Sequence, residues 1–385
     1  MIYRLKDICL TVTDGSHYSP KGLNDGYPMF SVKDMLEYGF DYSNCKRISE
    51  EDFQRMKSSG CVPQTGDVLV AKDGSYMKEI FVCEETREEA ILSSIAIFRP
   101  NLEVVTPYYL NYLLKSPKVY NFISNNCVSG SALPRIVLKT FKEVELEIPS
   151  LDLQSKIVHV LKNLDDKIQN NIKINDNLQE QAMALYSNMI IENADETWTP
   201  GVLSDIAVIT MGQSPKGDTY NEDGTGTVFF QGRAEFGFRF PTRRLYTTDP
   251  KRMAQTNDAL MSVRAPVGDM NVAYEECCIG RGLAAIHSKD RHQSFVLYTM
   301  FNLREQLNVF NGEGTVFGSI NKDALNAISI SIPPKEVMDA FEATVSPMDE
   351  AIRNNYEEIC RLTEIRDSLL PRLMSGELDV SKLDI

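Results

Sequence analysis

The chain carries a long internal repeat, and any fold it adopts must be built twice. Gly130-Ser131-Ala132-Leu133-Pro134-Arg135-Ile136 through Ile148-Pro149 matches Gly314-Thr315-Val316-Phe317-Gly318-Ser319-Ile320 through Ile332-Pro333, 184 residues later. Val144 and Leu146 meet Ile328 and Ile330 there, an alternating strand pattern that each proline ends. Beyond the proline the apolar period changes. Ile157, Leu161, Leu164, Ile168, Asn171, Asn175, Leu178, Ala182, Leu185 and Met189 follow alternating steps of four and three. The same offset gives Phe341, Val345, Met348, Ile352, Asn355, Ile359, Leu362, Arg366, Leu369 and Leu373. Heptad spacing in two copies predicts two coiled-coil helices, each about 60 Å long at ~1.5 Å rise per residue.

Weaker echoes extend the repeat upstream. Leu5, Asp7 and Ile8 recur as Leu203, Asp205 and Ile206; Gln64-Thr65-Gly66-Asp67-Val68-Leu69 recurs as Gln255-Thr256-Asn257-Asp258-Ala259-Leu260; Ile91 and Ala96 recur as Ile279 and Ala284. Their offsets drift, as they do when loops change length on a shared scaffold. The expected organisation is a globular domain over 1–150, a helix over 151–195, a second domain over 196–334 and a second helix over 335–385. The fold class is mixed α+β. Residues 67–71 and 258–263 read as buried strands, and 108–114 and 295–303 as helices.

Composition narrows the function. Hydrophobic content of 43% and charged content of 24% are those of a globular protein, and no apolar run approaches the roughly 20 residues of a membrane span. Eight scattered cysteines without a C-x-x-C pair predict reduced thiols, a cytoplasmic setting and neither disulfides nor zinc. The net charge of −14 opposes nucleic-acid binding at first sight. It is unevenly spread. Residues 1–150 carry 17 basic and 20 acidic side chains and residues 196–334 carry 13 and 15, so the helical segments hold more of the negative charge per residue. Phosphate-loop, dinucleotide, H-E-x-x-H and G-x-S-x-G motifs are absent, and the four histidines have no metal-ligand spacing. The expectation is a chain with no catalytic site, metal or cofactor of its own.

The Ile-Pro step followed by Leu164-Asp165-Asp166-Lys167-Ile168-Gln169-Asn170-Asn171 resembles the conserved helical region of Type I restriction–modification specificity subunits. Arg366-Asp367-Ser368-Leu369-Leu370-Pro371-Arg372-Leu373-Met374-Ser375-Gly376-Glu377-Leu378 is similar to the second such region. In the second domain, Gly212-Gln213-Ser214-Pro215, residues 230–237 and Met261 through Asp269 are similar to one class of their target-recognition domains. The resemblance implies two such domains, each reading half of a split, asymmetric site in double-stranded DNA, with antiparallel helices as the ruler between them. It also implies docking of modification (methyltransferase) subunits that use S-adenosylmethionine, and through them of restriction subunits that use ATP and Mg. A coiled-coil scaffold with protein- or ligand-binding ends is the alternative, and an orphaned subunit that has lost its enzyme is a third.

Residue chemistry selects candidates. In the second domain Gln231, Arg233, Arg264 and Arg281 lie beside Gly or Pro and suit base edges, while Ser214, Lys216, Thr315 and Ser319 suit phosphates. The first-domain set is Ser16, Lys72, Ser75, Ser131 and Arg135. If the helices run antiparallel with paired numbers summing to 530, Leu161 faces Leu369, Ile168 faces Leu362, Leu178 faces Ile352, Met189 faces Phe341 and Asn175 faces Asn355, with Leu185 also in the seam. Arg366 then falls opposite Leu164, a mismatch. Asp165, Asp166 and Asn170, with Asp349, Glu350 and Asn354 in the repeat, are the expected exposed docking face.

Overall fold

The computed structural model describes residues 1–130, 134–196, 198–311 and 318–383. It falls into two compact units, one of residues 1–172 with 357–385 and one of residues 173–356. This division differs from the one expected from sequence, because the apolar seams of both helices are absorbed into the cores. Ile157, Leu161 and Leu373 belong to the core of the first unit, and Ala182, Phe341, Val345 and Ile352 to that of the second. Each unit therefore owns a stretch of both helices.

Within the first unit, Cys9–Asp14, Ile95–Pro100, Val68–Ala71 and Ile80–Val82 form an antiparallel sheet in that order. In the second, Ala207–Met211, Leu283–Ser288, Ala259–Ser262 and Met270–Val272 repeat it. Val68–Ala71 and Ala259–Ser262 are buried at every residue, which is why they read as unbroken apolar runs. Each unit closes the same way. Ile2–Arg4 pairs with Glu145–Glu147 and the Leu5 N–H donates to Val144 O at 2.9 Å; Thr199–Val202 pairs with Ser329–Ile332 and the Leu203 N–H donates to Ile328 O at 2.9 Å.

The repeated Gln-Thr-Gly/Asn-Asp segment proves to be a turn with a built-in clamp. The Asp67 N–H donates to Gln64 O at 2.9 Å while the Asp67 carboxylate accepts from the Gln64 N–H at 2.8 Å. Asp258 and Gln255 make the same two bonds at 3.1 and 2.7 Å. The third turn residue has positive φ in both, +88° at Gly66 and +71° at Asn257, so glycine and asparagine are the tolerated choices.

The first long helix is α-helical over Leu151–Tyr186 and continues in π-helical turns over Ser187–Glu192. The second covers Lys335–Met374 and stops short of the expected end, because Gly376 adopts φ +76° and reverses the chain. Residues beyond it fold back, with Val380 buried in the first core and the Lys156 ammonium donating to Ser381 O at 2.7 Å. The helix segments are antiparallel within each unit. In the first, Leu161 shares a core with Leu369, Ile168 is buried, Leu362 is half-buried, and the Asn171 amide donates to Glu358 at 2.8 Å. In the second, the Asn355 amide donates to Asn175 Oδ1 at 2.8 Å, the amide of Asn175 donates to Ile352 O, and Leu178, Leu185 and Met189 join Phe341 and Ile352.

Arg366, the apparent mismatch, explains itself and corrects the docking face. Its guanidinium donates to Asp165 at 2.9 Å, to Glu37 at 2.6 Å and to the Tyr38 hydroxyl at 2.8 Å, and Asp165 also accepts from the Tyr112 hydroxyl at 2.6 Å. Burial alone would lower the Arg366 pKa, but the bond it donates to Asp165 and the nearby carboxylate of Glu37 outweigh it and raise the pKa. Asp349 does the same work in the second unit, accepting from Tyr298 at 3.0 Å and from the buried Arg239. Asp165 and Asp349 are thus inward-facing anchors between helix and globular domain, not exposed docking residues. Asn170, Glu350 and Asn354 are exposed, and Asp166 is half-exposed and paired with Lys162 at 2.6 Å.

Removing Arg366 strands the Asp165 carboxylate in a buried position. Arg366→Ala should cost about 3–5 kcal/mol in urea unfolding, whereas Arg366→Met with Asp165→Leu recovers most of that loss. Equal losses in the single and double variants would contradict the anchor.

Candidate nucleic-acid interface

Five backbone segments of the second unit meet in one frame. Gly212 lies so close to Gly280 O that a Cβ at 212 would collide with it. The Gln213 N–H donates to Ile279 O at 2.9 Å, the Gly280 N–H to Phe230 O at 2.8 Å and the Gly282 N–H to Gln231 O at 3.2 Å. The Val263 N–H then donates to Gly282 O at 2.9 Å, and the Ile320 N–H to Val263 O at 3.1 Å, leaving Arg264 and Ser319 facing each other in a single bridge. This frame brings together Ser214, Gln231, Arg264, Arg281 and Ser319. The Ser214 hydroxyl accepts from the Arg281 N–H at 3.2 Å. Gln231, Arg264, Arg281 and Ser319 are exposed, and neither Arg264 nor Arg281 makes an ion pair among the described residues.

The first unit has the same frame with other side chains. Gly15 presses on Ile91 O and Leu92 O; the Ser16 N–H donates to Ile91 O at 2.8 Å, the Leu92 N–H to Phe30 O at 2.8 Å, the Lys72 N–H to Ser94 O at 2.9 Å and the Ile136 N–H to Lys72 O at 2.9 Å. Matching bonds pairs Ser16 with Gln213, Ser31 with Gln231, Ser93 with Arg281, Asp73 with Arg264 and Arg135 with Ser319. Ser31, Ser93, Asp73 and Gln213 were not among the sequence candidates. The signal existed in the upstream echoes, but carrying Ile91 and Ile279 on to the next residues required the bonds above.

Several candidates change role. Lys72 is buried, with its ammonium 2.6 Å from Asp14, so it is a structural cation and not a phosphate contact. Arg233 is tied to Asp269, which also lies 3.6 Å from Arg304. Its expected role at a base edge gives way to an ion pair. Ser16 bonds its own loop, accepting from the Tyr18 N–H at 3.1 Å. Ser75, Lys216 and Arg135 are exposed. Ser131 and Thr315 lie outside the described residues.

The rest of the chemistry is quiet. Burial pushes the Cys9 and Cys277 thiols up to about 12, far from the thiolate form at neutral pH. All eight cysteines are free. Among the described residues, no cluster of His, Cys, Asp and Glu is placed to hold a metal ion, and no helix is long and apolar enough to cross a membrane.

The sequence profile of the Type I restriction modification DNA specificity domain matches residues 1–180 and again 195–355. The chain belongs to the Type I specificity family. The Methanocaldococcus jannaschii chain assigned as the MjaX Type I restriction enzyme specificity subunit is 28% identical, over 98% of this chain and 93% of its own length. The HindI specificity subunit of Haemophilus influenzae is 23% identical over 92% and 95%. The crystal structure of the Type I restriction–modification S subunit from M. genitalium shares the fold, with a TM-score of 0.61 at 13% identity, covering 97% of this chain and 95% of that one. In this specificity chain the doubled domain match and the doubled frame coincide.

Gly15→Ala and Gly212→Ala would each drive a methyl into a carbonyl of the neighbouring segment. Each should lower stability by roughly 1–3 kcal/mol and detach the frame of its own unit. Hydrogen exchange checks this: faster exchange at the Ser16 N–H in Gly15→Ala, and at the Gln213 N–H in Gly212→Ala.

Proposed function

We propose that this chain is the non-catalytic, DNA-reading subunit of a Type I restriction–modification complex. Each unit reads one half of a bipartite, asymmetric site, and the long helices set the spacing. The observation that carries this reading is the shared frame with exchanged side chains. One backbone scaffold presents glutamine, two arginines and serine in one unit, and serine, aspartate and arginine at matching positions in the other. Different donor and acceptor sets on equal scaffolds suit two different half-sites, as a two-fold protein suits a palindrome.

Arg264 and Arg281 carry the base-reading role in the second unit. A guanidinium bonds guanine O6 and N7 with two donors, and Gln231 bonds adenine in the same way. Ser319, Ser214 and Lys216 then contact phosphates, whose role is to fix register. The methyltransferase subunits supply S-adenosylmethionine chemistry and the restriction subunits supply ATP and Mg chemistry; the exposed Asn170, Glu350 and Asn354 are offered to the former. Work on DNA with such partners places the chain in the cytoplasm.

Arg264→Ala should cost roughly 1–3 kcal/mol against the preferred duplex and relax one position in one half-site, with the other half unchanged. Binding to single-base variants across both halves, at several salt concentrations, reads this out. Equal loss at every position would make Arg264 a phosphate contact. Binding without salt dependence would favour the scaffold alternative.

A further inference from the structure

We infer that Asp73 and Arg135 form the base-reading pair of the first unit and take a G·C pair by its major-groove edge, an inference that rests on the DNA reading above. The two residues face each other across one antiparallel bridge. On either side of it, the Ile136 N–H donates to Lys72 O at 2.9 Å and the Gly74 N–H donates to Pro134 O at 2.8 Å. Their backbones are therefore fixed together.

The side chains are held apart in character and left open. The buried Lys72 ammonium sits 2.6 Å from Asp14 and 4.0 Å from Asp73 Oδ1, so one cation holds both carboxylates. Asp73 Oδ1 is buried and accepts no hydrogen bond, so the 21% of the side chain that is exposed lies on its outer atoms. Arg135 is exposed and forms no ion pair with Asp73. A group that only accepts and a group that only donates thus stand side by side, each with capacity to spare. Cytosine N4 donates and guanine O6 and N7 accept, which is the complement of this pair on one G·C base pair.

The second unit lacks this arrangement. Met211 and Val263 stand where the first has Asp14 and Lys72, since Ala284 pairs with Met211 as Ala96 pairs with Asp14. Both are apolar members of the second core. Arg264 replaces Asp73, and the guanidinium changes sides of the bridge. A carboxylate facing DNA is repelled by phosphate whatever the sequence. Asp73 therefore contributes discrimination and subtracts from general affinity, which separates a reader from a bystander.

The test selects duplexes from a randomised pool with the full-length chain, native and Asp73→Asn. The asparagine keeps the shape and makes one arm a donor. Preference for C at one position of one half-site should fall roughly 5- to 150-fold, the span of one base contact, with the other half-site unaltered. Arg135→Gln, on an exposed segment, should move preference at the paired base from G towards A, which keeps the test sharp if Asp73→Asn unfolds. Tighter binding of Asp73→Asn to all duplexes alike, or an unchanged preference in both variants, overturns the pair. A native chain that enriches no sequence overturns the DNA reading beneath it.

Discussion

Each unit is built on an antiparallel seam between its own segments of the two long helices. A helix of this length with an apolar stripe must bury that stripe. Here each stripe is buried twice over, against the other helix and against a sheet domain, so the cores run from strand residues such as Val68 and Phe98 straight into Leu161 and Leu373. The same continuity holds from Met261 and Ile286 to Phe341 and Ile352. The polar exceptions within the seam have partners. Asn175 meets Asn355, and Asp165 meets Arg366, Tyr38 and Tyr112. Buried polar groups of this kind fix alignment where apolar contacts alone would tolerate a slip.

The fold was largely legible because repetition amplifies weak signals. A single heptad stretch permits many readings, but ten positions recurring at one offset permit few. The helix register followed from the same spacing, and its apparent flaw at Arg366 marked an anchor. Charge could not be read so well. Asp165 and Asp166 look alike in sequence, but only the first points at Tyr112, a hydroxyl that sits 53 residues away. Lys72 stood in the first-domain set of DNA candidates, and its carboxylate partner, Asp14, lies 58 residues off. Long-range pairs of this kind leave no local trace.

The two frames show where constraint ends and freedom begins. Four backbone bonds of the frame, from the N–H groups of Ser16, Leu92, Lys72 and Ile136, recur in the second unit with nearly equal lengths, and Gly15 recurs as Gly212, where a Cβ would strike a carbonyl. The side chains on those bonds share little: Ser93 against Arg281, Asp73 against Arg264, Ser31 against Gln231. Even the clamped turn keeps its aspartate while changing its partner from Arg99 to His287. A surface whose supports are fixed and whose presented groups vary can acquire new preferences without refolding.

The way the units divide the chain also has a consequence for biosynthesis. The second unit is one continuous stretch, 173–356, whereas the first needs residues 357–383 to finish a core begun at Leu5. On a ribosome, domains generally fold as their sequence emerges. The segment translated second can therefore be complete while the segment translated first still waits, with Leu161 and Ile157 lacking Leu373 and Val380. Order of synthesis and order of completion are reversed, and the waiting unit is the one that a chaperone would be expected to meet.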